Sequence, residues 1–319
     1  MPTKDWMTTL LLLPLFIWNA KPMATIWLFK QAHTSGFKPK ISGQLIQTTS
    51  SHLCLRNPWV SDSVFMGKIY TAMFLFTWVL SCYNLINENI DYSINGGDIF
   101  VAILISLPFI FTPFLAYRIL FIKNLSNIYL NRHTKKIYYK RFKKLIIFDW
   151  SQVAGGLFSR TEFGGSSFTT SYALAFAPRR EDGSLHQKDC LWVDSNEPTE
   201  PGVKHVAEVW EYLRHFMDHG PDKLPPPGEP NWWHKPLHAI CLTPAEAWRH
   251  YAPWRTGEPG EMQGKKNWQL PFWAVLFPYN LSVALCWYGI CRLFNVRAAP
   301  PPPEAFEEAP IQPGKRKRK

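Results

Sequence analysis

The chain has 319 residues, of which 46% are hydrophobic and 15% aromatic, and its 35 Lys and Arg against 24 Asp and Glu give a formal charge of +11 at pH 7. This apolar content is enough to build a core, which excludes a wholly disordered chain and a fibrous or collagen-like one. The six cysteines form no Cys-x-x-Cys pair and no zinc-type spacing, so we expect reduced thiols rather than a disulfide framework. The apolar residues are concentrated in a few long blocks, which is typical of a membrane protein with a soluble portion.

The first apolar block, residues 10–18, is short and follows Lys4 and Asp5. A cleaved signal peptide is disfavoured because no small residue stands three places before a plausible cleavage site. A short interfacial helix, or a gene start placed too far upstream, fits this segment better.

Two uncharged segments, residues 69–86 and 99–117, predict a transmembrane helical hairpin. Each is long enough to cross a hydrocarbon core of about 30 Å as a helix that rises about 1.5 Å per residue. The loop between them, residues 87–98, is acidic, whereas residues 118–144 contain nine basic residues and no acidic one. The positive-inside rule therefore predicts that the loop lies outside and that both flanks lie in the cytoplasm. A pair of buried helices in a soluble protein is the alternative, and the lack of a continuous polar face disfavours it.

The basic run at residues 135–144 has three interpretations. Its tether to the second membrane segment favours contact with the anionic inner leaflet, where each basic residue contributes about 1 kcal/mol. A solvated strand face that merely obeys the topology rule is an equal alternative, and nucleic-acid binding ranks third, so no nucleic-acid partner is expected. The residues predicted to contact lipid are Lys135, Lys136, Lys140, Arg141, Lys143 and Lys144.

After the hairpin, the sequence changes to short β-rich runs and then to a helical period. Strands are predicted at residues 125–131, 135–141, 145–150, 153–160, 168–177 and 187–193. Apolar residues at three- and four-residue intervals from Val203 to Met217 predict an amphipathic helix that ends at Gly220. An antiparallel meander closed by one helix is the layout of a pleckstrin-homology-like β-roll. An α+β sandwich of another topology is the alternative.

A proline- and tryptophan-rich stretch follows this domain. Residues 221–231 cannot continue a helix and predict a linker. Thr243-Pro244-Ala245-Glu246 is a capping box that opens a short helix. Indole rings prefer the headgroup level of a membrane, so we expect interfacial anchors here, with packing against the soluble domain as the alternative. The predicted anchors are Trp232, Trp233 and Trp268.

A third apolar block, residues 272–291, contains Pro278 and Asn280 near its middle and has basic residues on both sides. A single crossing would place one basic flank outside, against the positive-inside rule. We therefore expect a helix that is broken at residues 278–280, enters the membrane and returns to the same side.

No catalytic or metal-binding constellation is evident, so neither an enzyme activity nor a cofactor is expected. The chain lacks a phosphate-binding P-loop and a Gly-x-Ser-x-Gly elbow. His215 and His219, like His234 and His238, stand four residues apart, but neither pair has the Glu of a His-Glu-x-x-His motif.

The order of these parts carries a resemblance to a known group of proteins. The hairpin is followed by the turn at 131–138, by Phe148-Asp149-Trp150-Ser151, by the 210–221 stretch and by the third apolar block. This order resembles an uncharacterised family of Gram-negative membrane proteins that are encoded beside type VI secretion spike and toxin genes, over residues 43–305. The resemblance implies an immunity or accessory role and gives no catalytic residues to carry over.

These observations predict an α+β membrane protein of the bacterial inner membrane, with a transmembrane hairpin, a cytoplasmic pleckstrin-homology-like roll and a Pro-broken membrane-embedded segment. The expected partners are membrane lipids and a cognate toxin or secretion-spike protein. The alternatives are an interaction scaffold at the inner leaflet and a membrane-disrupting toxin. The predicted regions are a partly disordered or interfacial lead-in (1–65), the hairpin (66–122), the β-roll and helix (123–220), the linker (221–267), the membrane-embedded segment (268–295) and a disordered basic tail (296–319).

Overall fold

The computed structural model describes residues 26–87, 106, 109–163, 168–180, 183, 185, 190–194, 203–229 and 231–306. The strands are β1 Ile26–Lys30, β2 Leu45–Thr48, β3 His52–Leu55, β4 Leu125–Asn131, β5 Lys136–Arg141, β6 Lys144–Asp149, β7 Val153–Phe163, β8 Phe168–Pro178 and β9 Leu191–Asp194. The helices are α1 Pro58–Asn87, α2 Thr112–Asn124, α3 Val203–His219, α4 Lys235–His238, α5 Pro244–Tyr251 and α6 Leu270–Leu293. The protein is therefore an α+β protein with two antiparallel sheets, and it divides into two units.

The first unit comprises Met1–Lys40 and Phe148–His215 and contains a sheet in the order β1-β7-β8-β9. Its core is built on Trp210 of α3, which is fully buried and stacks on Phe29 and Trp150 at centroid distances of 5.9 and 5.4 Å. A Cβ at Gly155 of β7 would lie 2.6 Å from the Trp210 ring. The strand therefore needs glycine at this position so that the indole can lie flat on the sheet.

The second unit comprises Ile41–Ile147 and Phe216–Lys319 and contains a sheet in the order β2-β3-β4-β5-β6. The central strands β3 and β4 are antiparallel, with His52 opposite Asn131 and Leu55 opposite Ile128. Because α1 begins just after β3 ends and α2 ends just before β4 begins, both helices leave the same end of the sheet. Tyr70 of α1 and Phe114 of α2 stack at 5.6 Å, so the two helices pack together.

Strands β4 to β9 correspond to the six strands predicted after the hairpin, although residues 187–189 of the last one lie outside the described residues. The two sheets also use strands that the sequence did not predict. Strand β1 pairs with β7, while β2 pairs with β3 and β3 with β4. These three strands are only four or five residues long. A run of that length shows little of the alternation by which a strand is recognised, and β1 and β3 pair with strands far along the chain.

Two predicted membrane features take a definite form in the structure. The second segment of the hairpin was predicted at 99–117; residues 99–105, 107 and 108 of it lie outside the described residues, and α2 begins at Thr112. The prediction of a break at Pro278 is wrong, because α6 is one continuous helix through that residue. Proline removes a single backbone hydrogen bond, whereas ending the helix in this apolar sequence would leave several polar groups without partners. Ser282 also donates to the Pro278 carbonyl at 2.7 Å.

Candidate functional site

The outer half of α1 is an exposed apolar surface. Near the sheet, Val60 and Val64 are 6% and 1% exposed, whereas Phe76 and Val79 further along are 64% and 59% exposed. The segment Pro58–Tyr83 is long and apolar enough to cross a membrane, as is Asn267–Leu293. A contiguous exposed surface of this kind marks a site of contact with lipid or another protein.

A turn of basic side chains lies at the base of this hairpin. Arg141, Lys143 and Lys144 are exposed around Phe142, which joins β5 to β6. The Phe142 amide donates to the Asn124 carbonyl at 2.7 Å, and its ring meets Phe121 edge-on at 5.3 Å. Because both partners belong to the last turn of α2, the basic turn is fixed where the hairpin leaves the sheet.

The basic surface continues towards the end of α6. Lys123 of α2 donates from Nζ to the Phe294 carbonyl at 3.1 Å, and the Ala299 amide donates to the Leu125 carbonyl at 3.0 Å. These bonds place the chain that follows α6 beside the start of β4. We call the exposed set at this end of the sheet the basic belt; its members are Lys123, Arg141, Lys143, Lys144, Arg292 and Arg297.

The six residues predicted to contact lipid do not form one patch. In the β4–β5 pair, Arg141 lies opposite Leu125 and Lys136 lies opposite Asn131. Lys135 and Lys136 are therefore about 17 Å from Arg141 along the strand, at the end remote from the hairpin. The Lys135 amine donates to the Met217 carbonyl. Lys140 is half-buried one residue before the basic turn.

The three predicted tryptophan anchors also separate. Trp233 and Trp268 are 45% and 76% exposed. Trp232 is 1% exposed, and its indole N–H donates to Glu258 Oε2 at 3.0 Å. The Trp232 ring therefore has no free surface to place among lipid headgroups, and this part of the prediction does not fit the structure.

Trp232 instead lies at the centre of a buried charged cluster. Glu258 accepts from Lys235 and lies 3.1 Å from His250 Nδ1, and the His250 ring stacks on Trp232 at 4.2 Å. Burial lowers the pKa of His250 to about 4, although Glu258 opposes the shift. Burial disfavours the ionised form of Glu258, but its bonds from Lys235 and His250 outweigh this effect and hold its pKa below the ordinary value.

A second ion pair completes the cluster. Lys265 is fully buried, donates to the Arg249 carbonyl at 2.6 Å and lies 3.7 Å from Glu261. Burial lowers the pKa of Lys265, and Glu261 opposes that shift. The Glu261 carboxylate also accepts from the amides of Thr256 and Gly257 at 3.0 and 3.2 Å. The cluster connects distant parts of the largely irregular segment 231–268 and so stabilises it. We call this segment the Trp232 lobe.

Sequence reasoning missed the cluster because its charges are spread over 31 residues with no regular spacing. The signal that could have indicated a buried charged cluster is the high density of tryptophan around Glu258 and Glu261, in a segment with few other acidic residues. The buried charges are already paired with one another, and His250 has a side-chain exposure of 3%. Their arrangement therefore suits a structural role for the cluster.

The histidine pairs considered as metal ligands lie in two places. His234 and His238 have ring centroids 5.6 Å apart, while His215 and His219 are on α3. Burial and the nearby Arg56 lower the pKa of His238 to about 3. Across the part of the chain that the structure describes, no group of three His, Cys, Asp or Glu side chains is placed to hold a metal ion.

Comparison with known proteins places the chain in a family. No curated protein and no solved structure matches it. A family model described as a family of unknown function, DUF6708, matches residues 102–302, which is more than half of the chain and includes β4–β9 and α2–α6. The chain therefore belongs to the DUF6708 family.

Proposed function

We propose that this protein is a membrane-anchored, non-enzymatic immunity or accessory protein that binds a cognate toxin or secretion-spike protein. The observation that carries the anchoring is the sharp change along α1, which is buried against its own sheet up to Val64 and exposes Phe76 and Val79 further out. The toxin-related role is supported by the resemblance to proteins encoded beside type VI secretion genes.

The basic belt supports an orientation for the anchor. Its exposed side chains surround the point where α1 and α2 leave the sheet, and cytoplasmic flanks of membrane helices carry such an excess of Lys and Arg. We propose that both units lie in the cytoplasm beside the bacterial inner membrane and that the hairpin passes through it. We also propose that residues 123–220 form the predicted pleckstrin-homology-like roll.

This placement limits the kind of toxin. A cytoplasmic domain can meet toxins that act in the cytosol or at the inner membrane, whereas a cell-wall hydrolase would need a protector outside. Inhibitors of basic nucleases present acidic surfaces for electrostatic complementarity, and the basic belt does not. A membrane-active toxin therefore fits this chain better than a nuclease.

The alternatives differ in how much the structure favours them. An inner-leaflet scaffold would use the same anchor and the same belt, and it differs from an immunity protein only in that it need not rescue cells. The membrane-disrupting toxin depended on a helix broken at Pro278, and that helix is continuous. We therefore rank the toxin last.

Two experiments test the proposal. Production of this protein alone should leave growth unchanged, and its co-production with a cognate toxin, sought among the products of neighbouring genes, should restore growth and allow co-purification. Growth arrest by this protein alone would contradict the immunity role, and co-purification without rescue of growth would favour the scaffold.

A matched pair of variants tests the anchor. Phe76→Asp/Val79→Asp should move the protein out of the membrane fraction, because charges are costly in hydrocarbon. Ile46→Asp/Ile147→Asp changes apolar residues of the sheet that are 44% and 45% exposed, and it should leave the protein in that fraction. Equal behaviour of the two variants would contradict anchoring through α1.

A further inference from the structure

We infer that α6 does not cross the membrane but lies in the plane of its surface, with one apolar face against an anionic lipid leaflet and the Trp232 lobe on the water side. This inference rests on the proposed membrane attachment and specifies how the C-terminal third of the chain takes part in it.

The first argument is that the Trp232 lobe covers one face of α6 along nearly its whole length. Near the start of the helix, Trp273 packs on Trp232 at 5.5 Å, and one turn later Phe277 packs on Trp248 at 5.0 Å. Near the end of the helix, Trp287 Nε1 donates to the Ile240 carbonyl at 2.6 Å. Between these points, Ala284 packs against Leu242 and Ala247.

These contacts conflict with a transmembrane path for α6. From Trp273 to Cys291 the helix rises about 27 Å, which is close to the thickness of the hydrocarbon core. A crossing would therefore place the lobe inside the bilayer at every depth. The capping box of α5, in which Glu246 Oε2 accepts from the Thr243 amide at 2.8 Å, adjoins Leu242 and Ala247 at the middle of α6. Lipid-exposed charge and irregular backbone, such as residues 239–243, are not tolerated there.

The opposite face of α6 is apolar and uncovered. Val275 is 75% exposed, Phe272 is 64% exposed and Tyr279 is 50% exposed. From Leu270 to Cys291 the helix contains no charged residue, and the Tyr279 hydroxyl on this face belongs to a residue type that prefers the membrane interface. Tryptophan rings flank it, since Trp248 and Trp254 pack on Phe277 and are 45% and 49% exposed. An apolar face bordered by indole rings is typical of helices that lie at the lipid interface.

Charge identifies an anionic lipid surface as the occupant of this face. Within residues 231–306, all of which are described, the exposed charged side chains are basic, whereas all four Glu side chains are partly or fully buried. The exposed basic residues are Arg249, Arg255, Lys266, Arg292 and Arg297. An in-plane helix also keeps both of its basic flanks on one side of the membrane, which satisfies the positive-inside rule without a break at Pro278.

The depth of each position along α6 separates the two arrangements. A genetically encoded fluorescent amino acid is placed singly at Phe272, Val275, Tyr279, Leu285 and Leu293 of the full chain, reconstituted in phosphatidylethanolamine–phosphatidylglycerol vesicles. Quenching by lipids that carry a nitroxide at known depths then reports the depth of each probe. An in-plane helix gives one shallow depth at all five positions, whereas a crossing helix gives a depth that is greatest near Tyr279 and Leu285.

Two reference positions calibrate the quenching expected in water and within the membrane, so that each outcome supports or contradicts the inference. His133 is exposed at the end of the β4–β5 pair that is remote from the hairpin and should show no quenching, while Val79 of α1 should be quenched strongly. Quenching at Val79 with a V-shaped depth profile along α6 would overturn the in-plane inference but leave the anchor intact. Quenching at Val79 together with none at the α6 positions would overturn lipid contact through this face and leave the anchor intact. The absence of quenching at Val79 and along α6 would overturn both the inference and the proposed membrane attachment.

Discussion

The Trp232 lobe and the basic belt hold their charges in opposite ways. In the lobe, Lys265 is fully buried and Glu258 has a side-chain exposure of 5%, and these charges pair with Glu261 and Lys235. In the belt, Arg141, Lys143 and Lys144 point into solvent. The charges of the lobe therefore stabilise its fold, whereas the exposed charges of the belt can interact with an anionic surface outside the protein. A count of Lys and Arg along the sequence finds the belt and overlooks the lobe.

The largest expected effect comes from breaking the lobe at Glu258. Glu258→Gln removes the negative charge to which both Lys235 and the Trp232 indole donate, and each hydrogen bond to a charged group contributes about 1.5–3 kcal/mol. We expect a marked fall in the melting temperature of the detergent-solubilised protein, followed by tryptophan fluorescence. Glu229→Gln changes an exposed carboxylate and should alter stability by less than about 0.5 kcal/mol. Equal melting of both variants would show that the cluster does not stabilise the lobe.

The stability of the protein should depend on pH because His238 and His250 are shielded from water in the folded state. The folded-state pKa values of His238 and His250 are lowered to about 3 and about 4, below the value of about 6.5 for an unperturbed histidine. Below pH 6.5 the unfolded chain therefore takes up protons that the native protein does not, and stability falls as the pH falls. Each histidine contributes a slope of at most about 1.4 kcal/mol per pH unit. For His250 the slope is greatest near pH 5 and falls to about half by pH 4, where this residue begins to titrate in the folded protein.

Substitution of His250 measures how much of this pH dependence comes from that residue. His250→Gln should make the stability less dependent on pH between 6 and 4, measured by denaturant titration at each pH. His133→Gln replaces an exposed histidine and should leave the slope of the wild type. An unchanged slope in His250→Gln would mean that this histidine is not held neutral in the folded lobe.

The packing of α6 on α1 predicts an intermediate effect. A Cβ at Gly67 of α1 would lie 2.5 Å from the Trp287 ring, and that ring is held by its bond to the Ile240 carbonyl. Gly67→Ala should therefore overpack the contact and cost about 1–3 kcal/mol. Gly289→Ala on α6 meets nothing within 4 Å and should be neutral or stabilising, because alanine favours helix over glycine. Melting temperatures that shift in the same direction would contradict this contact.

The sequence and the structure agree wherever a signal is long or local. The apolar segment that became α1 and the six strands after the hairpin were predicted from length, hydropathy and alternation, and the capping box at Thr243 forms as expected. The pairing of β1 with β7 joins residues more than 120 positions apart, and no local pattern reveals such a partner. The charge of Glu258 is equally uninformative until the fold places Lys235 and His250 around it.

Pro278 shows the limit of a local rule. Proline inside an apolar segment predicted a break because it removes a hydrogen bond, and yet α6 continues through it. The helix is held at Trp273 and Trp287 by contacts with residues that precede it by tens of positions. Tertiary contacts of that kind outweigh a single lost bond, and they cannot be read from the proline itself.

The smallest expected effect on stability comes from substitutions in the basic belt, and they test whether its exposed charges contact lipid rather than stabilise the fold. Lys143→Gln/Lys144→Gln removes two exposed charges and should leave the melting temperature nearly unchanged. The same variant should retain fewer anionic phospholipids on purification in a mild detergent, because each basic residue near a lipid surface contributes about 1 kcal/mol, or about fivefold in affinity. Mass spectrometry of the co-purified lipid measures this loss. Lys135→Gln/Lys136→Gln alters the end of β5 remote from the hairpin and should retain lipid as the wild type does; equal losses in the two variants would mean that net charge, rather than the position of the belt, governs lipid contact.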